Sequence, residues 1–346
     1  MRKLFLLFAL LPALVMNASA LDLSAPPVPE ESARWMPGDT SDFPGAVSQL
    51  LQGAISALGP EVSAAGETAL TAAGIVLIFS VLDNFPGTTG KPAAVAGTAA
   101  LAAALLKNAE SLIRLASDTI VRLSEYGKLL LPVMTAALAG QGGTAASAAL
   151  YAGTAAFDLL LTNLISGILV PAVYFFLAMA AATSALGDDG LKRLRDLIKW
   201  FIGWSLKILL TVFTTYMSIS GVVSGATDAV TLKAAKFTIS SAIPVVGGIL
   251  SDASEAILVS AALVKNAAGI YGIFALLAVF LVPFLKIAVQ YLVLKLTGGL
   301  CGLFGSKAMT ELIEDFSTAM GFLLAMTASV CLLLLISTIC FLKGVG

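Results

Sequence analysis

Residues 237–272 read FTISSAIPVVGGILSDASEAILVSAALVKNAAGIYG, an apolar stretch in which helix-breaking and ionisable residues recur. Ionisable groups are costly at membrane depth and usually face a protein interior or water. Irregular backbone survives at that depth only where protein or a cavity satisfies its polar groups. The stretch therefore predicts an interrupted membrane helix with a structural or binding role, because a plain membrane anchor has no use for such a pattern.

The interruption is followed by signals for a new helix. Pro244 and the pair Gly247-Gly248 break the first helix. Asp252 can cap the next one, and Glu255 three residues later completes a capping box. Broken helices bind substrates or ions in transporters, but a hairpin that packs against the bundle and closes it has the same pattern, so both interpretations stay open. The candidate buried or pore-facing polar and hinge residues are Pro244, Gly247, Gly248, Asp252, Glu255, Lys265, Asn266 and Lys286.

Lys286 is a candidate because it follows Pro283 inside an apolar run. A proline frees backbone carbonyls in a helix, and a cation can meet them there, or can contact a buried carboxylate or a permeant solute. The alternative for Lys286, and for Lys207 in an earlier run, is that the long side chain reaches the membrane interface. Asp158 and Asp228 lie near the ends of apolar runs and are predicted to be solvated caps.

The composition indicates an all-α polytopic integral membrane bundle. Of 346 residues, 58% are hydrophobic and 12% are charged, whereas soluble domains carry roughly 25% charged residues. The net charge of -1 offers no basic face, which argues against a nucleic-acid partner. The main partner of most of this surface is therefore the lipid bilayer of a cell membrane. The predicted spans are 129–150, 159–186, 200–226, 267–294 and 319–342, with shorter apolar segments at 68–82 and 92–106.

The chain divides into three regions. Residues 1–20 have the charged start, short apolar core and small-residue site of a cleaved signal peptide. Residues 21–65 are rich in Pro, Ser and acidic groups and predict an extended extracytoplasmic tether, followed by a weak helix near Val47 to Leu58. Residues 66–346 form the multi-pass membrane domain.

Two charged segments within the membrane domain predict interfacial helices. Residues 107–126 place charges of alternating sign every four residues, opposite an apolar face. Residues 187–199 hold a basic cluster, which the positive-inside rule assigns to the cytoplasm. A partner-docking role is the alternative for 107–126.

Enzyme chemistry finds little support in the sequence. There is no histidine, which removes the commonest general base and metal ligand. The three cysteines show no Cys-x-x-Cys spacing. We therefore predict no enzymatic activity, no catalytic residues, no metal and no cofactor.

The run AIPVVGGILSDASEAILVSAALVKNAAGIYG at 242–272, followed by the span that contains Pro283, resembles the stage III sporulation protein AE family. The resemblance is most specific over 237–300 and looser over 66–342. It implies a membrane subunit of a channel-like, secretion-like complex between the mother cell and the forespore, needed for endospore development. It implies other stage III sporulation proteins as partners, with self-association left open, and a location in the mother-cell membrane around the forespore. It carries over no catalytic or ligand-binding residue. The alternative is a secondary transporter or permease for a small solute, which predicts two related halves with interrupted helices.

Overall fold

The computed structural model describes residues 25–40, 42–83, 90–242, 247–303 and 305–343, with side chains for all of these except 83, 90–94 and 220–265. The described regular structure is helical. In chain order it consists of α1 (Glu30–Ala33), α2 (Phe43–Ser56), α3 (Gly59–Asp83), α4 (Gly90–Gly140), α5 (Thr144–Leu164), a π-helical turn (Ile165–Leu169), α6 (Val170–Leu186), α7 (Asp189–Ala242), α8 (Gly247–Cys301) and α9 (Lys307–Lys343).

Within the part of the chain that the structure describes, five helical segments are long and apolar enough to cross a membrane, which confirms the predicted all-α multi-pass bundle. They are Gly59–Leu82, Thr144–Leu186, Asp189–Ile219, Asn266–Cys301 and Lys307–Lys343.

The predicted boundaries needed correction in two places. The span 129–150 is wrong, since α4 ends at Gly140 and a turn with Gly142 at φ 90° precedes α5. Glycine adopts that left-handed conformation without a steric penalty. The predicted cap at Asp252 is also wrong, because α8 already begins at Gly247. The end of α7 at Ala242 and the start of α8 lie on either side of the predicted break.

The core is built around α4, which packs against α3, α5, α6, α8 and α9. Its apolar face buries Ile113, Ala116, Ile120 and Leu123. Small residues allow the neighbouring helices to approach closely. A Cβ added to Gly272 of α8 would lie 2.7 Å from the buried Leu130 Cδ2 of α4, so a larger residue there would require the Leu130 side chain to move.

Contacts between helix ends define two ends of the bundle. Lys192 of α7 and Glu311 of α9 form an ion pair at 3.5 Å, and α6 and α8 end close by in sequence. We call this the basic end. The first turns of α5 lie toward the other end, where Thr154 meets Ser337 of α9.

The helices are longer than a bilayer is thick. Helix α9 has 37 residues, and the continuous helix Thr144–Leu186 has 43. At ~1.5 Å per residue these are about 55 and 65 Å long, against a hydrocarbon core of about 30 Å. Part of the bundle therefore extends beyond the membrane.

Candidate functional site

Lys286 forms an ion pair with Glu61 of α3, and the two side chains are 29% and 31% exposed. Of the contacts considered for Lys286, the structure therefore has the one to a carboxylate. The proline in the preceding turn, Pro283, lies within α8. The pair joins the first turn of α3 to the middle of α8.

The N-terminal segment, residues 25–56, packs against the bundle beside this pair. Phe43 stacks near Phe274 of α8, with ring centroids 5.2 Å apart, and Ala46 and Leu50 are buried there. The described part of the predicted extended tether is therefore helical and docked in large part, and its helix starts at Phe43 rather than near 47.

Polar contacts attach the same segment to α4. Arg122 forms an ion pair with Glu31, and the buried Tyr126 donates a hydrogen bond to the Pro26 carbonyl at 3.4 Å. The hydrogen bond and the positive charge of Arg122 lower the pKa of Glu31, and the same hydrogen bond raises the pKa of Arg122. Both groups are therefore ionised at neutral pH.

A cavity of about 180 Å³ separates α1, α4 and α8 at this point. Its charged lining residues are Glu31, Arg34, Asp118, Arg122 and Lys286, above an apolar floor that includes Pro283. Small-molecule sites in proteins usually measure roughly 300–1,000 Å³ and are mostly apolar. The size and charge of this cleft suit a polar contact zone better than a metabolite pocket.

A second groove of about 470 Å³ lies between α3 and α4. Asn108 of α4 donates a hydrogen bond to Thr68 of α3 at 3.1 Å within it. Together, the groove and the cleft mark one polar face of α4. We define this polar face as Lys107, Ser111, Arg114, Asp118 and Arg122.

The charges of alternating sign that the sequence predicts at residues 107–126 therefore lie on one face of α4. Residues 107–126 form the middle of that 51-residue helix and not a separate element. Their apolar side is buried, while Glu110 and Arg114 form an exposed pair at 2.7 Å. Their placement at a membrane interface stays a prediction.

A buried ion pair fastens the basic end. Arg195 Nη1 of α7 lies 2.7 Å from Asp315 Oδ2 of α9, and the side chains are 8% and 11% exposed. Arg195 also contacts the exposed Asp196 at 3.1 Å. Sequence reasoning identified the basic cluster but missed Asp315. The available signal was the pattern TELIEDF at 310–316, where acidic residues share a face with apolar ones.

The structure describes the side chains of only some of the remaining sequence-predicted candidates. Pro244 lies outside the described residues, and the side chains of Asp252, Glu255 and Lys265 are outside the described set as well. Gly247 and Gly248 open α8, and Asn266 is exposed. Asn266 precedes Lys286 by about 30 Å along α8 at ~1.5 Å per residue, so these two candidates are far apart.

Asp158 is not a solvated cap. It lies within α5 and is 3% exposed. Ser124 of α4 donates a hydrogen bond to its Oδ2 at 2.6 Å. The side chain of Asp228 is outside the described set.

Comparison with known proteins identifies the relationship that the sequence suggested. The family described as stage III sporulation protein AE matches residues 39–344. The chain belongs to the stage III sporulation protein AE family. This membership confirms the resemblance.

A similar protein is the stage III sporulation protein AE of Bacillus subtilis (strain 168), which is 26% identical to this chain over 226 residues. That match covers 65% of this chain and 56% of the relative, so the chain spans little more than half of the curated relative's length. No solved structure matches. The family match contains α2 to α9 and begins after Glu31 and Arg34.

Proposed function

We propose that this protein is an assembly subunit of a membrane complex that acts between the mother cell and the forespore during endospore formation. Family membership supports the sporulation role, and five apolar helices support an integral membrane position. The proposed location is the mother-cell membrane that surrounds the forespore. The proposed partners are other stage III sporulation proteins, and the proposed role is structural rather than enzymatic.

The polar face of α4 is the observation that carries the assembly role. It runs over residues 107–122, about 22 Å at ~1.5 Å per residue, in a chain whose residues are 58% hydrophobic. Arg114 of this face is 73% exposed, and its ion-pair partner Glu110 is 54% exposed. Exposed charges of alternating sign stabilise a single chain little, but across an interface they select partners and fix register.

Deleting the gene in its spore-forming host tests the sporulation role. We expect development to stop after engulfment, with a near-complete loss of heat-resistant spores that the wild-type gene restores. Normal spores from the deletion strain would refute the role.

The assembly role is tested in the same strain with two charge reversals. Arg114→Glu changes the polar face, and Lys307→Glu changes an 87% exposed residue at the basic end. We expect Arg114→Glu to reach normal membrane levels but to lose spores and co-purifying stage III proteins, while Lys307→Glu retains both. Equal behaviour of the two variants would refute docking through the polar face and leave the sporulation role intact.

A further inference from the structure

A buried polar track lies between α4, α5 and α9. Thr154 and Ser337 hydrogen bond to each other across α5 and α9, and Ser124 of α4 contacts Asp158. Thr154, Asp158 and Thr162 follow one another at four-residue spacing, so they share one face of the helix. The track lies inside the apolar segment Thr144–Leu186.

Two oxygen atoms on this track lack a protein partner. Asp158 Oδ1 and Thr162 Oγ1 are both buried and make no hydrogen bond with the residues that the structure describes. The other carboxylate oxygen accepts a hydrogen bond from Ser124 at 2.6 Å. A buried carboxylate with one oxygen that has no hydrogen-bond partner is unfavourable unless a cation compensates its charge.

We propose that Asp158 Oδ1 binds a small monovalent cation, Na⁺ or a proton, with the hydroxyls of Thr162 and Ser124 as neighbouring oxygen donors. Cβ atoms four residues apart in a helix are about 5–6 Å apart, so an ion between Asp158 and Thr162 reaches both side chains. Oxygen donors suit hard cations. A single carboxylate matches a single charge, and among the described residues no group of three or more acidic, histidine or cysteine side chains offers a richer metal site.

The charged surroundings do not already compensate Asp158. On α4, Lys128 lies near enough to act on the carboxylate electrostatically, but it is exposed and its contact is not a hydrogen bond. Glu125 on the same helix is exposed and carries the opposite charge. Helix α9 contributes the neutral Ser337. Helix α7 contributes the neutral Tyr216, which donates to the Ala149 carbonyl at 3.0 Å.

The local backbone supports an exchangeable site. The π-helical turn Ile165–Leu169 begins directly after this track, and the Val170 amide bonds to the Ile165 carbonyl. Such turns occur frequently at functional sites in helices. Thr162 is half-buried and Asn163 beside it is exposed, so an ion has a short path to the surface of the bundle.

A hydrophobic carbodiimide, which reacts with protonated carboxyl groups in apolar surroundings, tests the proposal on the full-length protein in detergent. Labelling of Asp158 is followed by peptide mass spectrometry, with NaCl replaced by choline chloride at constant ionic strength. We expect labelling to fall as pH rises, and to fall about tenfold when Na⁺ exceeds its Kd tenfold. Asp315, already paired with Arg195, is the internal control whose labelling should not respond to Na⁺.

Variants separate the site from a structural role. Thr162→Val keeps the carboxyl and should weaken Na⁺ protection several-fold. Asp158→Asn should abolish any difference in melting temperature between NaCl and choline chloride. Labelling that responds to near-neutral pH but not to Na⁺ assigns the site to a proton.

Two results would overturn the proposal. One is labelling confined to the acidic range in which exposed aspartates protonate, with no effect of Na⁺. The other is an absence of labelling at every pH, combined with a wild-type melting temperature that is equal in both salts and unchanged by Asp158→Asn.

Discussion

Replacing Arg195 by methionine leaves the carboxylate of Asp315 buried without its cation. The two groups are 8% and 11% exposed and 2.7 Å apart. At an effective dielectric constant of ~20, unit charges at that distance attract each other by about 6 kcal/mol. Desolvation costs several kcal/mol for each ion, so the intact pair is close to neutral for stability.

Removing one partner of the pair destabilises the fold more than replacing both partners with apolar residues. Removing one partner of a buried pair costs about 3–5 kcal/mol, because the other charge stays buried and uncompensated. The structure also predicts which single change costs more. Without Asp315, Arg195 keeps the contact with Asp196. Without Arg195, Asp315 keeps only the electrostatic influence of Lys199. We therefore expect Arg195→Met to cost ~5 kcal/mol and Asp315→Leu to cost ~3 kcal/mol.

The double variant Arg195→Met with Asp315→Leu completes the cycle and is expected within about 1 kcal/mol of the wild type. The measurement is denaturant unfolding in detergent micelles, followed by circular dichroism. The matched control is Lys192→Met, which removes a more exposed pair with Glu311 and should cost under ~1 kcal/mol. Equal costs for the two buried single variants, or a double variant whose cost is their sum, would refute the reasoning.

Three further predictions concern packing and pH. Gly272→Ala should lower the free energy of unfolding by ~1–3 kcal/mol through overpacking against Leu130. The control Gly203→Ala has nothing within 4 Å of the added Cβ and should raise the free energy of unfolding by up to ~1 kcal/mol. Equal unfolding midpoints for the two variants would contradict this. Burial raises the pKa of Tyr126 above its ordinary 10.0, so the phenol should stay protonated at pH 10 in the folded protein. Because the unfolded chain loses this proton near pH 10, the free energy of unfolding should fall as the pH rises above 10. Ultraviolet titrations of wild type and Tyr126→Phe should then coincide near pH 10, and a missing step in the variant would count against burial. The pKa of Glu31 is lowered from 4.5 by Arg122, so this pair stabilises docking of the N-terminal segment above pH 4.5 and less as pH falls below it. Glu31→Gln should speed proteolysis of that segment at neutral pH, with wild type and variant converging in acid; identical cleavage at neutral pH would argue against the contact.

Periodicity and composition were enough to predict the elements of this fold. Apolar length identified the spans that α3, α6, α7, α8 and α9 contain, and four-residue charge spacing identified the amphipathic middle of α4. The boundary near Gly140 was missed because residues 129–150 are apolar on both sides of the turn. A hydropathy average does not detect such a turn, because the turn depends on the left-handed backbone of Gly142 and not on polarity.

The site was harder to predict because its contacts join distant parts of the chain. Lys286 was identified from its position after Pro283, but its partner lies 225 residues away, and no local rule names Glu61. Asp158 was misassigned because proximity to the end of an apolar run suggested solvent. Its burial follows from helices α4 and α9, whose packing is not encoded in the neighbouring sequence.

The pairing of Glu61 with Lys286 also has a consequence for biosynthesis. Glu61 leaves the ribosome 225 residues ahead of its partner, and at ~5–20 residues per second that interval lasts about 11–45 s. Throughout that time α3 must sit in or at the membrane with an acidic group that has no cation to meet. A chain released before α8 is complete keeps this exposed acid permanently, which would mark the unfinished product for membrane proteases.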